Sequence, residues 1–149
     1  MQLQKEIKTS RFENVHQQTV VNVLFTYGWC NDKLKEAVLP YDITIQQFNI
    51  LRILRGQHPN PSTTSLLRAR MLDKMCDVSR IVDRLIQKEL ALKKGSTSDK
   101  RSVDILITGK GLALLEKMDK EVDLSVATAS NLTVEEAVTL NALLDKMRG

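Results

Sequence analysis

One short stretch restricts the fold more than any other. Leu90–Lys94 and Val103–Thr108 read as strands in a chain whose other apolar residues recur mostly at helical spacing. In SVDILIT, Val103, Ile105 and Ile107 alternate with Asp104 and Leu106, the period-two pattern of a strand with one face buried. The polar loop from Gly95 to Ser102 joins the two into a hairpin. A single hairpin in a helical chain has to cover the open side of a helical core, and its loop then projects beside the preceding helix.

The helices around it follow from periodicity and from their stops. From Phe12 to about Leu39, one side carries Phe12, Val15, Thr19, Val23, Cys30 and Leu34, with Val20, Leu24 and Tyr27 beside it; Pro40 ends this helix. Thr44 followed by Gln47 fits a capping box opening a second helix. Ile45, Phe48, Ile50, Leu51, Ile53 and Leu54 leave that helix apolar on several sides, and GQHPNPS terminates it. Ser62 is the N-cap candidate of a short helix reaching about Met71. A turn near Asp73 leads to a helix from about Lys74 to Lys88, with Val78, Ile81, Val82 and Leu85 facing inward. After the hairpin a long helix is predicted over Gly111–Ala129. Thr133 with Glu136 forms a second capping box for a final helix.

Two short helices joined by a few residues and followed by a hairpin make a winged helix-turn-helix. The predicted fold is mostly α with a β-hairpin wing, in one domain of 149 residues. The winged core spans about 44–108, with extra helices at 1–39 and 109–149.

Charge placement points to the partner. Residues 61–110 hold 11 basic and 6 acidic residues, whereas the rest hold 11 and 12, so the net +4 arises in the middle third. Such an excess fits a polyanion, or else a solvated basic face.

The residues from Val78 to Leu115 carry a family resemblance. VDRLIQKELAL, then Asp99-Lys100-Arg101, then Ile107-Thr108-Gly109-Lys110-Gly111 resemble, in order and spacing, the recognition-helix end, the D-x-R wing and the LT-x-x-G of the MarR family of transcriptional regulators. The chain departs from that pattern at Glu89, where the family usually has the glycine that favours a left-handed helix end.

For a DNA binder, one face of the recognition helix packs and the other meets DNA. Asp77, Arg80 and Arg84 share the outer face, with Lys74 one turn earlier. Lys74, Asp77 and Arg80 are the base-contact candidates, and Arg84 a phosphate contact. Asp77 would orient Arg80 or accept from a cytosine amino group. Ser62, Thr63, Thr64 and Ser65 offer hydroxyls and free N–H groups to phosphate. The resemblance implies that Arg101 enters the minor groove and that Asp99 orients it; Lys93, Lys94 and Lys100 add charge.

The surplus helices imply a C2 homodimer reading a palindrome, with Phe12, Val15, Leu132, Val138, Leu140, Leu143 and Leu144 as interface candidates. The resemblance also implies a repressor released by a small molecule. His16, Tyr27, Trp29 and Phe48 could line a site for an aromatic or phenolic ligand, or belong to the core. A redox variant of this reading uses Cys30 or Cys76, the latter at the front of the recognition helix, where a helix N-terminus lowers a thiol pKa. The competing class is a winged-helix protein-interaction module. No phosphate loop, catalytic triad order or metal spacing is present, so neither an enzyme, a cofactor nor a metal is expected. The absence of a signal-like or membrane-length apolar run predicts a cytoplasmic protein with no membrane partner.

Overall fold

The computed structural model describes residues 2–8, 11–95, 103–121 and 125–149. The chain divides into two compact units, Met1–Leu112 and Ala113–Gly149.

The first unit opens with one turn of helix, α1 (Leu3–Glu6), and then α2 (Val15–Val38). α2 starts three residues later than Phe12, because Asn14 supplies the cap: its Oδ1 accepts from the N–H groups of His16 and Gln17 at 3.0 and 2.9 Å. A 3-10 turn, Leu39–Tyr41, carries Pro40 and ends it. α3 (Ile45–Gln57) opens on the predicted capping box. Thr44 Oγ1 accepts from the Gln47 N–H, and Gln47 Oε1 from the Thr44 N–H, both at 3.1 Å.

α4 (Thr64–Arg70) and α5 (Val78–Gln87) form the helix-turn-helix. Two boundaries differ from expectation. Thr63, not Ser62, caps α4: its Oγ1 accepts from the Leu66 N–H at 3.1 Å. Ser62 is held elsewhere, its N–H and C=O both bonded to Ile105 at 2.8 Å. α5 begins at Val78 rather than Lys74, because Asp77 Oδ1 accepts from the Arg80 N–H and fixes the helix start there.

The hairpin follows: β1 (Ala91–Gly95) pairs antiparallel with β2 (Val103–Ile107), from Ala91 opposite Ile107 to Gly95 opposite Val103. α3 packs against α4, α5 and β2. Ile50, Leu51, Leu67, Val78, Val82, Leu85 and Ile105 are fully buried there. Each such side chain contributes about 1.5–3 kcal/mol relative to exposure.

The joint between α5 and the wing explains the departure at Glu89. Leu90 N–H donates to Leu85 C=O and Glu89 N–H to Ile86 C=O, both at 2.9 Å. This is a Schellman ending, and Glu89 takes the left-handed φ of 60° that glycine would take. Thr108 closes the same joint from the other side. Its Oγ1 donates to Glu89 C=O at 2.7 Å and accepts from the Gly111 N–H at 3.0 Å, which starts the next helix. A Cβ at Gly111 would lie 2.4 Å from Leu90 O and 2.7 Å from Ile107 Cγ1. The Thr-x-x-Gly spacing therefore places the hydroxyl at the cap and the missing Cβ against the hairpin base.

That next helix is α6 (Gly109–Glu121), which continues into the second unit; α7 (Val126–Ala129) is a single turn. The predicted continuous helix over Gly111–Ala129 is thus two described pieces. α8 (Val134–Arg148) has the second predicted capping box, Thr133 with Glu136, at 3.2 and 2.9 Å. No residue of α8 is buried.

Candidate nucleic-acid interface

α5 is sharply two-faced. Val78, Val82 and Leu85 are fully buried, whereas Ser79, Arg80, Asp83 and Arg84 are exposed. Asp77 Oδ1 accepts from the Arg80 backbone N–H as the N-cap of α5, and among the described residues it makes no bond to the Arg80 guanidinium. Asp83 is committed elsewhere: its Oδ1 lies 2.5 Å from Lys93 Nζ on β1. Among the described residues, Arg80 and Arg84 therefore form no ion pair with Asp77 or Asp83, and both stand exposed on one helix face.

Lys93, expected to add charge at the wing, instead ties the wing strand to α5. Lys94 is exposed on β1. Lys74 lies in the turn before α5 and not at the start of the helix. Its Nζ donates to Ala69 C=O at 2.7 Å and satisfies the end of α4. Thr63 is exposed, and Thr64 and Ser65 follow in the first turn of α4. Ser62 is 1% exposed, and its Oγ has no hydrogen-bond partner. Its hydroxyl is sealed from solvent, which removes it from the phosphate candidates. Asp99, Lys100 and Arg101 lie outside the described residues.

Further ion pairs brace this lobe where sequence reading had assigned none. Lys88 Nζ binds Asp42 through both the backbone carbonyl and Oδ2, linking the end of α5 to a residue two before α3's cap. Lys110 Nζ lies 2.9 Å from Glu89 Oε2. That hydrogen bond, reinforced by the charge of the ammonium, holds the Glu89 carboxyl below the usual glutamate range. Only the presence of opposite charges was visible beforehand. Each pairing depends on the fold bringing distant segments together.

The sensor candidates do not converge. Phe48 is buried on α3, with the Arg52 guanidinium carbon 5.7 Å from its ring centre. His16 and Tyr27 are exposed on α2. Eleven residues separate them, roughly 16 Å of helical rise. Cys76 precedes the cap of α5 and is not on the helix. Its Sγ contacts Asp73 C=O at 3.0 Å. Burial, and then the Asp73 carboxylate, push its pKa up, the reverse of the expected lowering by a helix N-terminus. Cys30 is an exposed free thiol on α2. Among the described residues, no cluster of metal-ligating side chains occurs, and no helix is long and apolar enough to cross a membrane.

Comparison with known proteins places this geometry. The family model for the MarR family matches residues 43–103, from just before α3 to the start of β2. The multiple antibiotic resistance protein MarR of Escherichia coli is 31% identical over 121 residues, covering 76% of this chain and 79% of that protein. The HTH-type transcriptional regulator MhqR of Bacillus subtilis is 26% identical over 73% of this chain and 77% of its own. A crystal structure of a cysteine-to-serine variant of E. coli MarR complexed with operator DNA superposes with a TM-score of 0.78. It is 28% identical and covers 93% of this chain and 99% of the solved one.

The fold and the site together define a winged-helix DNA-binding transcriptional regulator, not an enzyme. The chain belongs to the MarR family.

Proposed function

We propose that the chain is a homodimeric repressor that binds a palindromic operator with the exposed face of α5 and the wing. The observation that carries this is the pairing on α5: three fully buried aliphatics on one side, two arginines free of neighbouring acids on the other. Arg80, near the α5 start and fixed there by Asp77, reaches base edges, while Arg84, one turn on, meets phosphate. The hydroxyls of Thr63 and Thr64, with Lys94 and Lys100, add backbone contacts, and Lys74 adds charge without reaching a base. Arg101 enters the minor groove with Asp99 as its support.

Two copies supply two half-sites. The support for self-association is the apolar surface left bare in a single chain. On α2, Val15 and Leu24 are 69% and 64% exposed. On α8, Val138, Leu140 and Leu143 are 63%, 44% and 58% exposed. Phe12, Leu132 and Leu144 are half-buried beside them in sequence. A helix with no buried face needs a partner surface. Release by a small aromatic or phenolic ligand belongs to the same reading and rests on membership of the MarR family, not on a gathered set of lining residues.

Binding to a random duplex should fall steeply with salt. Arg84→Ala should lower that log–log slope by about one contact. Arg80→Ala should cost about 1–3 kcal/mol on a selected site and relax its sequence preference. A flat salt response with no effect of either substitution ends the proposal.

A further inference from the structure

The turn between α4 and α5 buries Met71 but displays Leu72 and Met75. Leu72 is 84% exposed and Met75 94%, more than the large hydrophobics of the terminal helices. The turn is not loose. Leu72 N–H donates to Asn49 Oδ1 and Met75 N–H to Asp73 Oδ1, both at 3.0 Å. Lys74 Nζ closes on Ala69 C=O, and Asp77 fixes the start of α5. Met75 is thereby held three residues ahead of Val78, at the helix end that enters the groove in helix-turn-helix proteins.

The surroundings select a polyanion as the occupant. Arg68, Arg70, Lys74, Arg80 and Arg84 surround this turn in sequence, and all are exposed. Of the nearby acids, Asp73 accepts from the turn's Met75 N–H, Asp77 from the Arg80 N–H of α5, and Asp83 holds Lys93. An exposed thioether in a cationic setting suits one apolar group above others. On the edges that base pairs present in the major groove, that group is the thymine 5-methyl. Met is also flexible enough to follow it.

We infer that Met75 is a specificity-determining residue, contacting a thymine 5-methyl at one position of each half-site. This rests on DNA binding by the α5 face.

The test uses the full-length protein and a site selected from random DNA. Each thymine is replaced in turn by deoxyuridine, which removes only the methyl. For the wild type, one such change should weaken binding about fourfold, the effect of one buried methyl. Met75→Ala should bind thymine and deoxyuridine equally at that position, and Met75→Leu should restore part of the difference. Met75 is exposed, so neither change should alter the circular dichroism or the melting curve. Indifference of the wild type to every deoxyuridine overturns the inference, as does full sensitivity surviving in Met75→Ala. Failure of the wild type to bind any duplex overturns the DNA-binding reading itself, and the wild-type arm alone reports it.

Discussion

α5 and α8 both carry several aliphatic residues, gathered on one face in α5 and spread around the helix in α8, and they end differently. α5 seals Val78, Val82 and Leu85 completely, whereas α8 buries nothing. Both start on a side-chain cap, Asp77 and Thr133, so capping does not separate them. The difference lies in what surrounds each helix. α5 meets α3, α4 and β1 within its own unit. α8 leaves Val138, Leu140 and Leu143 exposed, and only under the proposed homodimer would a second copy cover them.

The largest expected effect comes from Leu85→Ala. It should lose about 3 kcal/mol in urea unfolding, because the cavity opens in a fully packed site. Leu143→Ala should hardly change the stability of an isolated chain. In analytical ultracentrifugation it should shift the population toward monomer. Equal, concentration-independent losses for the two would erase the contrast.

Gly111→Ala comes next, at about 2 kcal/mol, since the added methyl meets the Leu90 carbonyl and the Ile107 side chain. Differential unfolding against Gly28→Ala, where a Cβ meets nothing within 4 Å, isolates that clash from the general effect of replacing a glycine in a helix.

The two capping boxes give a finer comparison. Thr44→Ala and Thr133→Ala should each remove about 1 kcal/mol. The Thr44 loss should be independent of protein concentration. The Thr133 loss should shrink on dilution if α8 is held by a second copy. A melting-temperature series over a hundredfold concentration range reads the difference.

Glu89 gives the smallest effect. Its carboxyl is depressed by Lys110, so the pair stabilises above the ordinary glutamate pKa, and the contribution disappears as pH falls through the lower folded value. Both side chains are exposed, which keeps this small. Glu89→Gln should fall slightly below wild type at neutral pH and converge with it in acid. A Glu89→Gly curve lying above wild type in acid would report relief of the left-handed backbone.

Much of this was legible in the sequence, for reasons that differ by element. Thr44 with Gln47 and Thr133 with Glu136 could be read because a capping box involves four consecutive residues and nothing else. The inward face of α5 could be read because helical periodicity and burial agree there. The start of α5 could not. Lys74, Met75 and Cys76 do not oppose a helix, and the outcome turns on how Asp73 and Asp77 direct their carboxylates. Ser62 and Thr63 are chemically alike as caps. The choice was made by Ile105, far along the chain, which takes both backbone groups of Ser62. Lys93 shows the same limit: its charge was obvious, but its engagement with Asp83 depends on β1 lying against α5.

The bond pair between Ser62 and Ile105 has a mechanical consequence. It fastens the stretch leading into α4 to the strand leading out of the wing. Lys93 fastens the other strand to α5. The lobe therefore behaves as a gauge with two fixed prongs, calibrated once at folding. Under the proposed DNA-binding reading, wherever α5 seats, the landing point of the wing's base is already decided.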